Sequence, residues 1–101
     1  MEEPEKPDLS LQNERLRRLL AIARKVRDLS QRDVARRIGQ PPSYIGKIEN
    51  GMRGVSVVEM VQIAKAIGVD PRKIITKLLK GWPDAPPESQ PPTEPPQNES
   101  A

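Results

Sequence analysis

Leu16, Leu19, Leu20, Ala23 and Val26 recur at intervals of one, three and four residues, and between them stand Arg15, Arg17, Arg18, Arg24, Lys25 and Arg27. Such spacing predicts an amphipathic helix with one apolar stripe, and Ser10 is placed to cap it. A second pattern opens at Ser30, with Asp33 three residues later as the other half of a capping box. Val34, Ala35 and Ile38 then face inward until Gly39, where a left-handed residue can end the helix. Pro41-Pro42 restart the chain, since proline is tolerated in a first helical turn. Ile45 and Ile48 form the next stripe, and Asn50-Gly51 closes it. Ser56 and Glu59 make another capping box ahead of Val57, Met60, Ile63, Ala64 and Ile67, with Gly68 at the end. Asp70-Pro71 caps a last helix that carries Ile74, Ile75, Leu78 and Leu79 as far as Gly81. Five short helices around one core, an all-α fold, are expected.

Residues 30–50 read SQRDVARRIGQPPSYIGKIEN, two short helices on either side of a tight turn. With Ile45 and Ile48 inward, 3.6 residues per turn puts Pro42, Ser43, Gly46, Lys47 and Asn50 outward. Two solvated helices in any helical domain would share the bare periodicity. Less common are Ala35, small where two helices would cross closely, Gly39 at the turn, Ile45 six residues later, and Gln31 heading the first helix. In these features the chain resembles the lambda repressor-like, Cro-type helix-turn-helix family, also called the Xre family. The matching residues are Ser30-Gln31, Val34-Ala35, Gly39, Tyr44-Ile45, Glu49 to Gly51 and the segment Met60 to Val69, so the resemblance spans roughly Leu16 to Leu79. Asp28 departs from it, standing where the family often has glycine.

The resemblance implies a compact five-helix domain whose second motif helix enters the DNA major groove. Pro42, Ser43 and Lys47 would then be the residues that reach base edges. Lys47 is the foremost of them: a lysine can donate to guanine O6 and N7, with about 1–3 kcal/mol of discrimination for a good pair, a phosphate contact being the alternative. Ser43 can bond base or phosphate, and Pro42 offers apolar contact alone. Gly46 costs a helix interior roughly 0.5–1 kcal/mol relative to alanine. It either permits a closer approach to the groove or is a neutral surface loss. Gln31 heads its helix where the family holds a phosphate. Arg32, Gln40, Tyr44, Asn50 and Arg53 are the other candidates for positioning the backbone. Arg24 and Glu49 match a pair that bridges the first helix and the recognition helix, a structural ion pair rather than a DNA contact.

Charge adds an asymmetry that the net value of +3 hides. Residues 1–8 carry four acids and one lysine. Residues 9–81 carry sixteen Lys and Arg against six Asp and Glu, a net of +10, and residues 82–101 carry four acids and no base. The expected organisation is therefore an acidic, disordered arm (1–8), a basic DNA-binding domain (9–81) and a proline-rich, acidic, disordered tail (82–101). The acidic arms are expected to compete with DNA for the basic surface. Trp82 reads as a latch over the last helix, or as a dimer contact. There is no cysteine or histidine, which excludes disulfides, thiolate metal sites and imidazole chemistry. No apolar run reaches the length of a membrane span.

The expectation is a sequence-specific regulator of transcription, repressing rather than activating, in the cytoplasm. Its partner would be double-stranded DNA, read at a palindromic operator by a homodimer, because one such module reads too few base pairs alone. No cofactor, metal, membrane or catalytic role is expected. Two other readings stay open: an antitoxin-like module that binds a protein partner through its tail, and a nucleoid-type DNA binder without sequence preference.

Overall fold

The computed structural model describes residues 8–83. In them five helices succeed one another: α1 (Ser10–Val26), α2 (Gln31–Arg37), α3 (Tyr44–Glu49), α4 (Val57–Ile67) and α5 (Pro71–Leu79). α1 packs against α3, α4 and α5, while α2 lies on α3 and α4. Expectations for residues 1–7 and 84–101 fall outside the described residues.

The core draws one row from each helix: Leu20, then Val34 and Ala35, then Tyr44, Ile45 and Ile48, then Met60, Ile63, Ala64 and Ile67, and finally Ile74. Val34 and Ala35 have no exposed surface at all, so the small residue at position 35 sits in close contact with its neighbours. Leu16, Leu19, Ala23 and Ile38 pack half-buried at the edge. Not every apolar residue of these patterns is buried. Val26 and Val57 are about three-quarters exposed, and Ile75 and Leu79 are also on the surface. Each stands on the flank of its helix or in a terminal turn, beyond the reach of a core only one row wide.

Local signals position these helices. Ser30 and Asp33 form the reciprocal capping box of α2, with Asp33 N donating to Ser30 Oγ (2.9 Å) and Ser30 N to Asp33 Oδ2 (2.9 Å). Ser56 and Glu59 do the same for α4. Asp70 accepts from Arg72 N, ahead of Pro71 in the first turn of α5. At α1 the cap differs from expectation. Ser10 is the first helical residue, and Asp8 is the acceptor, taking bonds from Ser10 N (2.9 Å) and Ser10 Oγ (2.6 Å). An aspartate two residues earlier reaches the free N–H that a serine inside the helix cannot.

The far end of α1 is held in the geometry of a Schellman motif, in which Leu29 N donates to Arg24 O and Asp28 N to Lys25 O. Its left-handed position belongs to Asp28, at φ +57°. Aspartate is among the few residues besides glycine that enter this region routinely, so the family's glycine is replaced without losing the turn. Arg15 fastens the opposite end of the bundle, donating to Lys77 O (3.0 Å) and Lys80 O (2.6 Å) at the close of α5.

Candidate nucleic-acid interface

α2 and α3 meet through Val34 and Ala35 on one side and Tyr44, Ile45 and Ile48 on the other. Between them, Gly39 N donates to Arg36 O and Gln40 N to Ala35 O, closing α2, with Gly39 at φ +69°. The prolines then behave differently from expectation. Pro41 and Pro42 stand ahead of α3 in a separate turn, closed by Tyr44 N donating to Pro41 O (3.0 Å), and the helix begins at Tyr44. Pro42 and Ser43 thus precede the first helical residue. No side chain caps α3, and Ser43 Oγ makes no hydrogen bond among the described residues.

Behind α3 lies a polar network. Arg24 Nε and Nη2 donate to the two carboxylate oxygens of Glu49 (2.8 and 2.9 Å), and Arg24 Nη1 donates to Leu29 O (2.8 Å). The two side chains are only 9% and 10% exposed. Bidentate geometry and a third acceptor offset the cost of taking both charges out of water. Gln31 completes the network, its Nε2 donating to Glu49 Oε1 (2.8 Å). The amide of Gln31, a residue expected to hold a phosphate, is turned inward to Glu49.

This explains Gly46. A Cβ built there would stand 3.1 Å from Gln31 Oε1, so the missing side chain makes room for the glutamine that crosses from α2 to Glu49. Neither reading of Gly46 from sequence anticipated a neighbour inside the protein. Interhelical contacts of this kind leave no local pattern, because the partner lies fifteen residues away.

Two further backbone candidates are also occupied. Tyr44 is 7% exposed, with its ring in the core. The ring of this residue, expected to position the DNA backbone, packs α3 onto the core. Its hydroxyl is buried and meets no hydrogen-bond partner among the described residues. Burial, and then the nearby Glu59 carboxylate, raise the phenol above its ordinary pKa. Arg53 lies over the Tyr44 ring, 4.8 Å from its centroid, and donates to Glu59 Oε2 (2.8 Å) and Oε1 (3.2 Å). Those bonds, followed by the Ser56 backbone N–H, hold Glu59 down to about 2. Arg53 thus ties the start of α4 to the loop after α3, although its side chain is still 40% exposed.

The remaining candidates share one outward surface. Pro42, Ser43, Lys47 and Asn50 on or beside α3, with Arg32 and Gln40 from α2 and the turn, are all exposed, and none of their side chains is hydrogen-bonded to another described residue. Next to the end of α3, a pocket of about 200 Å³ is lined by Asn13, Arg17, Gly51, Arg53, Gly54 and Val55. Gly51 turns the chain there at φ +78°, with the Arg17 guanidinium carbon 3.0 Å from where a Cβ would stand. Arg17 and Asn13 went unnoticed in the sequence because only the fold brings α1 beside this loop.

The profile of a helix-turn-helix family, HTH_3, matches residues 20–74. An XRE-family like protein from Pseudomonas syringae pv. tomato is similar in structure, with a TM-score of 0.69 and 33% identity over 72% of this chain and 89% of that one. A hypothetical transcription factor, NHTF, from Neisseria shares the fold at a TM-score of 0.61 and 21% identity, covering 81% of this chain and 98% of its own. No curated protein matches the sequence. No described helix is long and apolar enough to cross a membrane.

Proposed function

The chain belongs to the Xre-type helix-turn-helix family of DNA-binding transcription regulators, which are not enzymes, and from that premise we propose that it is a sequence-specific repressor acting as a homodimer on a palindromic operator. The observation that carries this reading is the division of α3 into two sides. Its inner side is fastened to α1 and α2 through Ile45, Ile48 and Glu49. Its outer side presents Ser43, Lys47 and Asn50 with their polar groups unused.

In this reading Lys47 and Ser43 meet base edges, and Pro42 lies against an apolar edge such as a thymine methyl. Arg32, Gln40 and Asn50 contact phosphates and set the register. The pocket beside Gly51 adds a cationic wall, from Arg17 and Arg53, for a phosphate further along the same strand. Gln31 acts indirectly by holding Glu49, and with it the angle of α3. A basic domain of net +10 gives the assembly its non-specific affinity, which falls steeply with salt as counterions are released.

Two copies are needed because one α3 spans too few base pairs to single out an operator. The surface that suits self-association is the flank of α5 carrying Ile75, Leu79 and Trp82, three large apolar side chains 38–61% exposed. Repression is the simpler outcome for such a protein, since occupying a promoter requires no further contact. The cytoplasm is where such a DNA target would be met.

Selection of bound fragments from a random DNA pool by the whole chain tests the proposal. A palindromic site is expected, with half-sites about one helical turn apart. A pool that remains random after selection would instead make this a binder without sequence preference. A single unpaired half-site would contradict the homodimer.

A further inference from the structure

Away from α2 and α3, a groove of about 260 Å³ runs between α1 and α5. Its floor is aliphatic, with Ala23 and Val69 beside Ile22 and Val26, which are 57% and 74% exposed. Its rim is cationic. Arg27, Lys73 and Lys77 line it, and none of them is in an ion pair among the described residues. Arg27 is drawn across Gly68, its Nη1 2.9 Å from where a Cβ would stand, which places its charge at the groove's head. The groove lies on one flank of Ile74 and the Ile75–Leu79 face on the other, since 100° per residue separates positions 73 and 77 from 75 and 79.

An apolar floor with a positive rim calls for an acidic occupant carrying compact apolar groups. A second copy seated on the same groove is disfavoured, because an isologous contact would bring the three cations against their own counterparts. The chain itself carries a segment of the required chemistry. Residues 84–101 contain Asp84, Glu88, Glu94 and Glu99, no basic residue, and six prolines. Prolines favour an extended left-handed helix that presents apolar rings at little entropic cost.

The lengths also agree. The segment starts just beyond Trp82, at the end of α5 where Arg15 of α1 is bonded. α5 has nine residues, about 13 Å of helix, whereas an extended proline-rich chain advances about 3.1 Å per residue. About four extended residues therefore retrace α5, so the start of the segment, with Asp84 and Glu88, is the part that lies along the groove. Tethering supplies the high local concentration that weak contacts need.

We propose that the acidic, proline-bearing segment 84–101 folds back at its start into the α1–α5 groove, Asp84 and Glu88 meeting Arg27, Lys73 and Lys77 and the proline rings between them covering Ile22 and Val26. Docked there, the charges of Asp84 and Glu88 are held by α1 and α5 rather than competing for the surface of α3. The inference is independent of the DNA-binding reading.

The chain has no cysteine, so Ser89→Cys in the full-length protein accepts a single nitroxide label. The measurement is the paramagnetic broadening of assigned methyl resonances. Ile22 and Val26 are expected to broaden several-fold more than the exposed Val57, Val58 and Met52. The excess should disappear at about 1 M salt, where screening shortens to about 3 Å. It should also disappear in a labelled chain carrying Asp84→Asn, Glu88→Gln, Glu94→Gln and Glu99→Gln, which alters no residue of the folded domain. Uniform broadening over all five methyls would overturn the proposal, as would strongest broadening at Met52, beside α3. Broadening at Ile22 and Val26 that survives both salt and neutralisation would overturn the charge pairing on which it rests.

Discussion

The two helices of the motif are built alike and begin differently. α2 opens with every local device satisfied: Ser30 and Asp33 cap each other's backbone, and Gln31 is spent on Glu49. α3 opens with none, following a proline turn, and Ser43 leaves its hydroxyl unused. A similar contrast divides α3 itself. The carboxylate of Glu49 accepts bonds from Arg24 and Gln31 inside the domain, while the side chain of Lys47, two residues away, bonds to nothing described. Groups that could stabilise the fold are consumed at α2 and behind α3, and they are withheld on the outer face of α3. The difference separates the part that sets the reader's angle from the part that reads.

The largest effect expected from breaking this division is at its hinge. Glu49→Ala leaves Arg24 buried and uncompensated, which should cost about 3–5 kcal/mol in chemical denaturation, with loss of DNA affinity as α3 loosens. Unchanged stability would mean that the pair does not anchor the helix. Next come the two serines. Ser30→Ala should cost about 1 kcal/mol as a lost cap, whereas Ser43→Ala should alter stability by less than about 0.5 kcal/mol and instead weaken binding to a selected operator. Equal stability losses at the two positions would erase the contrast between α2 and α3.

A smaller effect is expected at Gly46. Alanine there gains roughly 0.5–1 kcal/mol of helix preference but presses on Gln31. Gly46→Ala should therefore stabilise more in a Gln31→Ala background than in the native chain, and a double-mutant cycle with no coupling would remove the packing explanation. The last effect concerns acid. Glu59 is held at about 2 by Arg53 and Ser56, so its folded-state pKa lies below its unfolded value. Its contribution is complete above the ordinary carboxylate range and is lost as pH falls toward 2. Glu59→Gln should flatten that part of the acid unfolding profile, and a profile unchanged by the substitution would show that the Arg53 tie is idle.

Much of this was legible in the sequence because it is local. Both capping boxes, the Asp70-Pro71 start, Gly39 and Gly68 as helix ends, and the row of core residues each depend on spacings of a few positions. The resemblance to the family supplied Arg24 and Glu49 across twenty-five residues, which spacing alone would not. What stayed hidden depends on which elements the fold brings together. Gln31 reaches Glu49 only because Gly46 leaves space, and the pocket wall of Asn13 and Arg17 forms only because α1 passes beside the loop after α3. Asp8 caps α1 where the pattern pointed to Ser10, because the helix begins at Ser10 itself. Val26, Val57, Ile75 and Leu79 fit helical stripes, but a core this small buries only the centre of each stripe.

The central claim is that the free outer face of α3 reads base sequence. The most direct test is the ratio of affinity for the selected operator to that for random DNA, measured at one stated salt concentration for the native chain and for Lys47→Ala. The account predicts a native ratio of about 10³ or more, and a fall of about 1–3 kcal/mol in discrimination on removing Lys47, with thermal stability unchanged. A native ratio near one, or a Lys47→Ala variant that loses affinity equally for both DNAs, would contradict it and leave Lys47 a phosphate contact.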